Sequence, residues 1–310
     1  GCGAYELAKD LEHFSLADYF TVAFADEALL LRKNGIKSPI VVVTPEKEAL
    51  EKMIKYDIEV VVHNFSTLNM IKECNLRIHL KIDSGMHRLG FEKKDLNQLI
   101  AFLKKHKNLK IASVFSHLAC ADSPELDFFT QEQINCFEQI SQEITSAFDY
   151  KILRHICNSA ASVRFPQVHY DMIRLGIGMY GIGVNQETQK HLRYVHKLQS
   201  RLSEIRTIEK GEGVSYMRRF VAEKQSKIGV IPIGYADGLN RHLSEKGFRV
   251  WINGKLAPII GSICMDMCMI DLSDIEAKVG DKVVIFGEEN PVENMAKALD
   301  TISYEVFTSV

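Results

Sequence analysis

The chain has 310 residues, enough for one large domain and a smaller one. Its 46% hydrophobic and 25% charged residues match ordinary globular composition, and a net charge of −2 gives no electrostatic reason to expect nucleic acid or an anionic membrane as partner. No stretch approaches the ~20 continuous apolar residues of a membrane span, and Gly1–Asp10 lacks the basic and apolar regions of a signal peptide, so a cytoplasmic location is expected. The seven cysteines (Cys2, Cys74, Cys120, Cys136, Cys157, Cys264 and Cys268) are odd in number and show no zinc-type pairing. They are read as reduced, buried thiols, with neither a metal site nor a disulfide framework.

Along the chain, short β-branched runs alternate with runs of helical period. Strands are predicted at Phe20–Phe24, Pro39–Val43, Ile58–His63, Arg77–Asp83, Leu109–His117, Tyr150–Cys157 and Met172–Tyr180. Between them lie amphipathic stretches at Glu27–Lys33, Lys47–Lys55, Ser66–Cys74, Lys94–Lys105 and Phe129–Phe148. The last places Ile134, Phe137, Ile140 and Ile144 on one helix face. The basic run Lys104–Lys110 reads as a solvated C-terminal helical turn.

Repeated β–α units with short connections imply a parallel sheet covered by helices. Seven such strands fall one short of a (β/α)₈ barrel, and a strand before Gly1 would complete the set. After about Tyr194 the pattern changes: Ser200–Ile208, Lys227–Ile233, Arg249–Ile252, Ala257–Ile260, Met267–Leu272 and Lys282–Phe286 read as strands. Turn signals such as Asn253-Gly254 link them, and helical period returns only at Val292–Leu299. The expected organisation is therefore a TIM-like α/β barrel over 1–194, followed by a mostly antiparallel β domain over 195–310.

Polar residues at the C-terminal ends of barrel strands are the default catalytic candidates. Here they include Lys81, Asp83 and Arg88, then His117, then His155 and Ser159, then Arg174 with Gly176 and Ile177. Three cations, two histidines, a hydroxyl and glycine-flanked backbone amides point to an anionic, phosphate-bearing ligand. Spacing alone does not identify it.

Seven strings, in order across essentially the whole chain, resemble the alanine racemase family. They are His79-Leu80-Lys81-Ile82-Asp83-Ser84-Gly85-Met86-His87-Arg88-Leu89-Gly90, Asn158-Ser159-Ala160-Ala161-Ser162, Ile173-Arg174-Leu175-Gly176-Ile177-Gly178-Met179-Tyr180-Gly181, Val214-Ser215-Tyr216, Ile231-Pro232-Ile233-Gly234-Tyr235-Ala236-Asp237-Gly238, Ile263-Cys264-Met265-Asp266 and Thr301-Ile302-Ser303-Tyr304-Glu305. The resemblance implies pyridoxal 5′-phosphate as cofactor, alanine as substrate, racemisation as reaction and D-alanine for peptidoglycan as its product. It also implies a homodimer with shared active sites.

The resemblance further implies roles. Arg174 would contact the cofactor's pyridine nitrogen, supported by His155 and His117. Ser159, the Gly176–Ile177 backbone and Tyr304 would hold the phosphate. Tyr216 would be one of two catalytic acid–bases, reaching the partner subunit's cofactor, and because a phenol's ordinary pKa is ~10, nearby positive charge would have to favour the phenolate. Met265 and Arg88 would contact the substrate carboxylate, with Cys264 and Asp266 on the same segment. Lys81 matches a lysine often carried as a carbamate, and Tyr235 would line the substrate's access path.

The family's cofactor motif, Lys-Ala-Asx-Ala-Tyr-Gly-x-Gly, is matched only in its tail by Gly1-Cys2-Gly3, so the cofactor lysine is expected before Gly1 and residues 1–310 alone are expected to be inactive. A continuation past Val310 is expected too, as is membership of a larger fusion as an alternative. Met217 stands where small residues are common. Competing readings are a non-racemising single-domain cofactor-binding barrel, which would lack the second domain, a sibling racemase for serine or other amino acids, and a basic-amino-acid decarboxylase, whose C-domain motifs are not seen.

Overall fold

The computed structural model describes residues 3–310. Gly1 and Cys2, on which the start of the cofactor-motif tail and one of the cysteines fall, lie outside the described residues. The chain divides into two compact units, 3–178 and 179–310.

The first unit alternates helices and strands: α1 Ala4–His13, β1 Phe20–Val22, α2 Ala25–Lys33, β2 Ile40–Val42, α3 Leu50–Lys55, β3 Glu59–Val62, α4 Phe65–Ile71, β4 Leu76–Lys81, α5 Leu96–Lys105, β5 Leu109–Phe115, α6 Asp127–Ser146, β6 Leu153–His155 and α7 Ser159–Arg164. The six strands pair in parallel and in chain order, forming a half-barrel. β2 and β3 are buried along their whole length, as strands covered on both faces must be. The helices bury one stripe each; α6 packs Ile134, Phe137, Ile140 and Ile144 inward, as its spacing predicts. Asn64 and Asn158 cap α4 and α7 by accepting the Thr67 and Ala161 backbone N–H groups.

Strand alternation divides the sheet into two faces. Val42, Val60, Val62, Ile78, Leu80 and Val114 pack in the main core with the helices, while Val41, Val61 and Phe115 form a separate cluster on the other face. That second face also carries Glu59, His79, Lys81, Ser113 and His155. An irregularity in β5 sets its phase: Ile78 pairs with Ile111 but His79 pairs with Ser113, so Ala112 is an extra residue in β5. Without this bulge Ile111 and Ser113 would share a face; with it, Ile111 joins the helix-side core and Ser113 turns to the opposite face.

The strand predicted at Met172–Tyr180 does not form. The segment follows β6 through a single ladder-like bond, Arg174 N–H to Cys157 O (3.0 Å), then turns into a 3₁₀ turn at Ile177–Tyr180. Its next amides go elsewhere: the Gly176 and Gly178 N–H groups donate to Ser159 Oγ at 2.9 and 3.4 Å. With those donors spent on a side chain, and two glycines in four residues, no ladder can propagate.

The second unit contains α8 Gln186–Gln189, β7 Leu198–Arg201, β8 Glu204–Ile208, β9 Gly213–Val214, β10 Phe220–Val221, β11 Ser226–Ile231, β12 Arg249–Ile252, β13 Lys255–Ile260, β14 Cys268–Asp271, β15 Lys282–Phe286, α9 Val292–Leu299 and α10 Ser303–Ser309. Seven strands form one sheet in the order β7-β15-β12-β13-β14-β11-β8, antiparallel throughout, and β9 pairs with β10. The run predicted as one strand, Ser200–Ile208, is split into β7 and β8, which lie at opposite edges of that order although only Leu202 and Ser203 separate them. The sheet therefore curls until its edges meet at Leu202, whose N–H bonds Asp281 O while that of Ser203 bonds Val230 O. The Asn253-Gly254 turn joins β12 to β13 with both residues at positive φ (45° and 83°), the conformation a two-residue hairpin favours.

Among the described residues the six cysteines are free thiols, no group of three or more His, Cys, Asp or Glu side chains could hold a metal ion, and no helix is long and apolar enough to cross a membrane.

Two phenylalanines on α6 separate core from surface. Phe137 is fully buried and Phe128 is 66% exposed. Phe137→Ala is expected to destabilise the protein by about 3–5 kcal/mol. Phe128→Ala should change stability by no more than about 0.5 kcal/mol, both read from urea unfolding midpoints.

Candidate active site

The barrel-side candidates gather around Arg174. Its Nη1 donates to His155 Nδ1 at 2.6 Å, and its Nη2 donates to the backbone oxygens of Ser116 (2.6 Å) and Ile156 (3.0 Å). Nη2 also lies 3.4 Å from His117 Nδ1. The acceptors come from the ends of β5 and β6, where the chain leaves the sheet and its carbonyls become available. The guanidinium sits 5.3 Å from the Phe115 ring centroid, and the Lys81 ammonium nitrogen 5.0 Å from the same ring.

Crowding of cations under burial governs the electrostatics. Lys81 is pushed down to about 7 by burial, then by Arg174 and Arg88, against the opposing pull of Asp83. Burial, with Arg174, Lys81 and Arg88, lowers His117 to about 3, and burial with the Arg174 charge holds His155 well below the usual imidazole range. Both histidines are thus neutral at pH 7, where each can accept as well as donate. Arg174 itself falls only to about 10 through burial and stays cationic.

Arg88 is exposed, in the loop after β4. That loop folds back so that Asp83 N–H bonds Phe91 O and Phe91 N–H bonds Lys81 O, with Asp83 Oδ1 accepting from Gly85 and His87. Ser159, nearly buried at the start of α7, accepts the Gly176 and Gly178 amides through its oxygen, which leaves its own hydroxyl proton without an acceptor among the described residues. The Gly176 amide is therefore directed at Ser159.

The remaining candidates lie in the second unit. Tyr216 is 72% exposed and stands between residues in left-handed conformations: Ser215 at φ 64°, Met217 at 63° and Arg218 at 47°. Such backbone costs on the order of 1–3 kcal/mol per residue and persists only where its surroundings over-determine it. Here Ser215 Oγ donates to Ser262 O (2.7 Å) and Ser262 Oγ donates to Tyr216 O (3.0 Å). Ser215 Oγ also meets Cys264 Sγ at 3.5 Å. The same loop holds Tyr235, whose N–H donates to Cys264 O (3.0 Å), while Ala236 N–H donates to Met265 O (3.0 Å). Gly234 permits this approach: a Cβ there would overlap the carbonyl oxygens of Cys264 and Met265. Tyr216, Tyr235 and Met265 are thus tied to one loop, and Asp266 is exposed on it. Tyr304 is half-exposed on α10. Tyr180, by contrast, packs against Phe307, 5.8 Å between ring centroids.

Sequence reasoning left four polar residues unassigned: Ser262 under Tyr216, and Glu59, His79 and Ser113 inside the half-barrel. The signal available for Glu59 and His79 was an ionisable side chain inside a β-branched run, a position that needs a partner.

Residues 1–184 match the family Alanine racemase, N-terminal domain, and residues 195–310 match Alanine racemase, C-terminal domain. The chain belongs to the alanine racemase family. It is 39% identical to an alanine racemase of Halalkalibacterium halodurans over 99% of this chain and 82% of that protein. An alanine racemase structure from Clostridium difficile 630 superposes with a TM-score of 0.92 at 35% identity, covering 100% of this chain and 83% of that one. A structure of an alanine racemase from the same organism in complex with cycloserine gives 0.89 at 33% identity, over 100% and 84%. The chain is accordingly that of an isomerase.

One consequence of the racemase's cation cluster is a pH dependence with unusual sign. Below about pH 7 Lys81 is charged in both states and the native state bears the burial penalty; above it the native state sheds the proton that the unfolded chain keeps up to about 10.5. The unfolded chain then binds more protons, so this residue's contribution to stability rises from pH 7 to 10.5. Lys81→Met should therefore be stabilised relative to the parent most at pH 6 and least at pH 10, compared by urea midpoints.

Proposed function

We propose that the protein interconverts L- and D-alanine by two-base proton transfer, with pyridoxal 5′-phosphate as cofactor, in the cytoplasm, as a source of D-alanine for peptidoglycan. The observation that carries this reading is the arrangement of Arg174. Three acceptors hold one edge of its guanidinium, while its Nε–H and second Nη1–H are not engaged by the described residues. The free Nε–H suits a neutral aromatic nitrogen acceptor, and the unspent hydroxyl proton of Ser159 suits a phosphate oxygen. The residues present fit the cofactor.

When bound, pyridoxal phosphate supplies the electron-withdrawing system that acidifies the substrate's α-hydrogen. Arg174 would donate a hydrogen bond to the ring nitrogen without giving up its proton, since even after burial it stays cationic at neutral pH. Ser159, the Ile177 amide and Tyr304 would hold the phosphate, with Gly176 supporting through Ser159. Arg88 and Met265 would orient the substrate carboxylate, Lys81 would stand beside Arg88, and Tyr235 would line the access path. Tyr216 would move the α-proton on one face of the substrate, with a second acid–base group on the other.

The exposure of Tyr216, Met217, Tyr235 and Met265 supports a homodimer in which this face completes the partner's site. A two-fold dimer closes two such sites, so specific activity should fall on dilution in parallel with dissociation measured by sedimentation. Full activity in a monomer would contradict the shared site.

Tyr216→Phe in the cofactor-loaded enzyme is the direct test of the mechanism. It removes the proton-transferring oxygen and keeps the ring. Turnover should fall by roughly 10²–10⁴-fold with little change in cofactor affinity. With Tyr216 serving L-alanine, solvent exchange of the α-hydrogen should be lost more severely from L- than from D-alanine. Equal loss from both would assign Tyr216 a positional role, and unchanged turnover would remove it from the chemistry.

A further inference from the structure

Behind Arg174 the half-barrel contains a continuous line of hydrogen bonds. His155 Nδ1 accepts from Arg174 Nη1 (2.6 Å), and His155 Nε2 lies 3.0 Å from Ser113 Oγ. Ser113 Oγ lies 2.7 Å from His79 Nδ1, and His79 Nε2 lies 2.7 Å from Glu59 Oε2. The other carboxylate oxygen, Oε1, pairs with Arg77 Nε at 3.2 Å, and Arg77 Nη2 donates to Tyr19 Oη at 3.1 Å. Glu59, His79, Ser113 and His155 are all at most 5% exposed.

We propose that Glu59, His79 and Ser113 are positioning residues that act through His155 to fix the orientation of Arg174 at the cofactor's ring nitrogen.

The direction of every bond follows from the two ends. A guanidinium can only donate and a carboxylate can only accept. Because His155 Nδ1 accepts from Arg174, its proton is on Nε2 and is donated to Ser113 Oγ. The Ser113 hydroxyl then donates to His79 Nδ1, and His79 Nε2–H donates to Glu59. A proton on His79 Nδ1 would leave the hydroxyl of the fully buried Ser113 with no acceptor. Both imidazoles are therefore held in the Nε2–H form, and His155 presents a lone pair, never an N–H, to Arg174. Aligned bonds of this kind polarise one another, so the Glu59 charge strengthens the acceptor that Arg174 meets.

The fold is built to allow this line. The same sheet face carries Val41 and Val61, so an apolar interior was available, and unpaired polar groups would be costly there. Ser113 reaches that face because the bulge takes Ala112 out of the regular alternation of β5. Four strands contribute in turn: Glu59 from β3, His79 from β4, Ser113 from β5 and His155 from β6.

The proposal rests on the reading of Arg174 as the ring-nitrogen contact, and the experiment separates the two. Long-range ¹H–¹⁵N correlation spectra of the ¹⁵N-histidine-labelled protein report the tautomer of each ring without any cofactor. His79 and His155 should both show a protonated Nε2 and a bare Nδ1 from pH 6 to 8. A proton on Nδ1 of either ring overturns the relay, with no variant required. In the holoenzyme, Ser113→Ala should weaken pyridoxal phosphate binding by about ten-fold, the scale of one lost supporting hydrogen bond. It should also shift the cofactor's absorbance band, and Ser113→Thr, which keeps the hydroxyl, should restore the band. If the tautomers are as stated but Ser113→Ala leaves affinity and band unchanged, the line is structural only and the proposal fails. If Arg174→Lys leaves both unchanged as well, the reading of Arg174 itself fails.

Discussion

Placing a guanidinium among strand ends sets a demand that the rest of the half-barrel meets. Arg174 brings five donors and a charge that cannot be discarded at neutral pH, so burial is tolerable only where acceptors converge on it. Two are carbonyls, of Ser116 and Ile156, freed because β5 and β6 end just before them. The third is an imidazole kept neutral by the same burial and by the cation it serves. The depression of Lys81 and His117 follows from burial first and then from the same charge. What looks like a set of independent strand-end residues is one electrostatic unit with Arg174 as its source.

The second unit solves a different problem, that of presenting a phenol outward on a backbone that does not give way. Three left-handed residues around Tyr216 are a local cost, offset by the Ser215–Ser262–Tyr216 bonds and by the close seating of Gly234 on the Cys264–Met265 carbonyls. Met217, the residue that departs from the usual small side chain, occupies one of the left-handed positions and is 86% exposed. No contact in the structure explains why methionine stands there.

Much of this was legible in the sequence where period and motif coincide. Six of the seven barrel strands, the helices between them and the antiparallel second half follow from alternation, helical spacing and turn residues. The Met172–Tyr180 strand failed because its apolar run says nothing about where its amides go, and they go to Ser159. Ser200–Ile208 reads as one strand because a strand that changes partners midway keeps its pattern, while Leu202 and Ser203 hand it from one sheet edge to the other. The site residues with family motifs were visible by resemblance. Glu59 and Ser113 lie outside those motifs and His79, though it opens one, was given no role, because strands buried on both faces lose the alternation that would show which side each residue takes.

The bulge at Ala112 makes β5 a strand with a phase as well as a sequence. Before it Leu109 and Ile111 face the helix-side core; after it Val114 does, and Ser113 and Phe115 face the other way. Flattening the bulge with Ala112 kept in the ladder would carry Ser113 and Phe115 toward the helices and Val114 away from them, whereas deleting Ala112 would join Ile111 to Ser113 and keep both on their present faces. What the site requires of β5 is therefore phase: the extra residue is tolerable only as a bulge, because pairing it regularly would turn every later side chain to the wrong face.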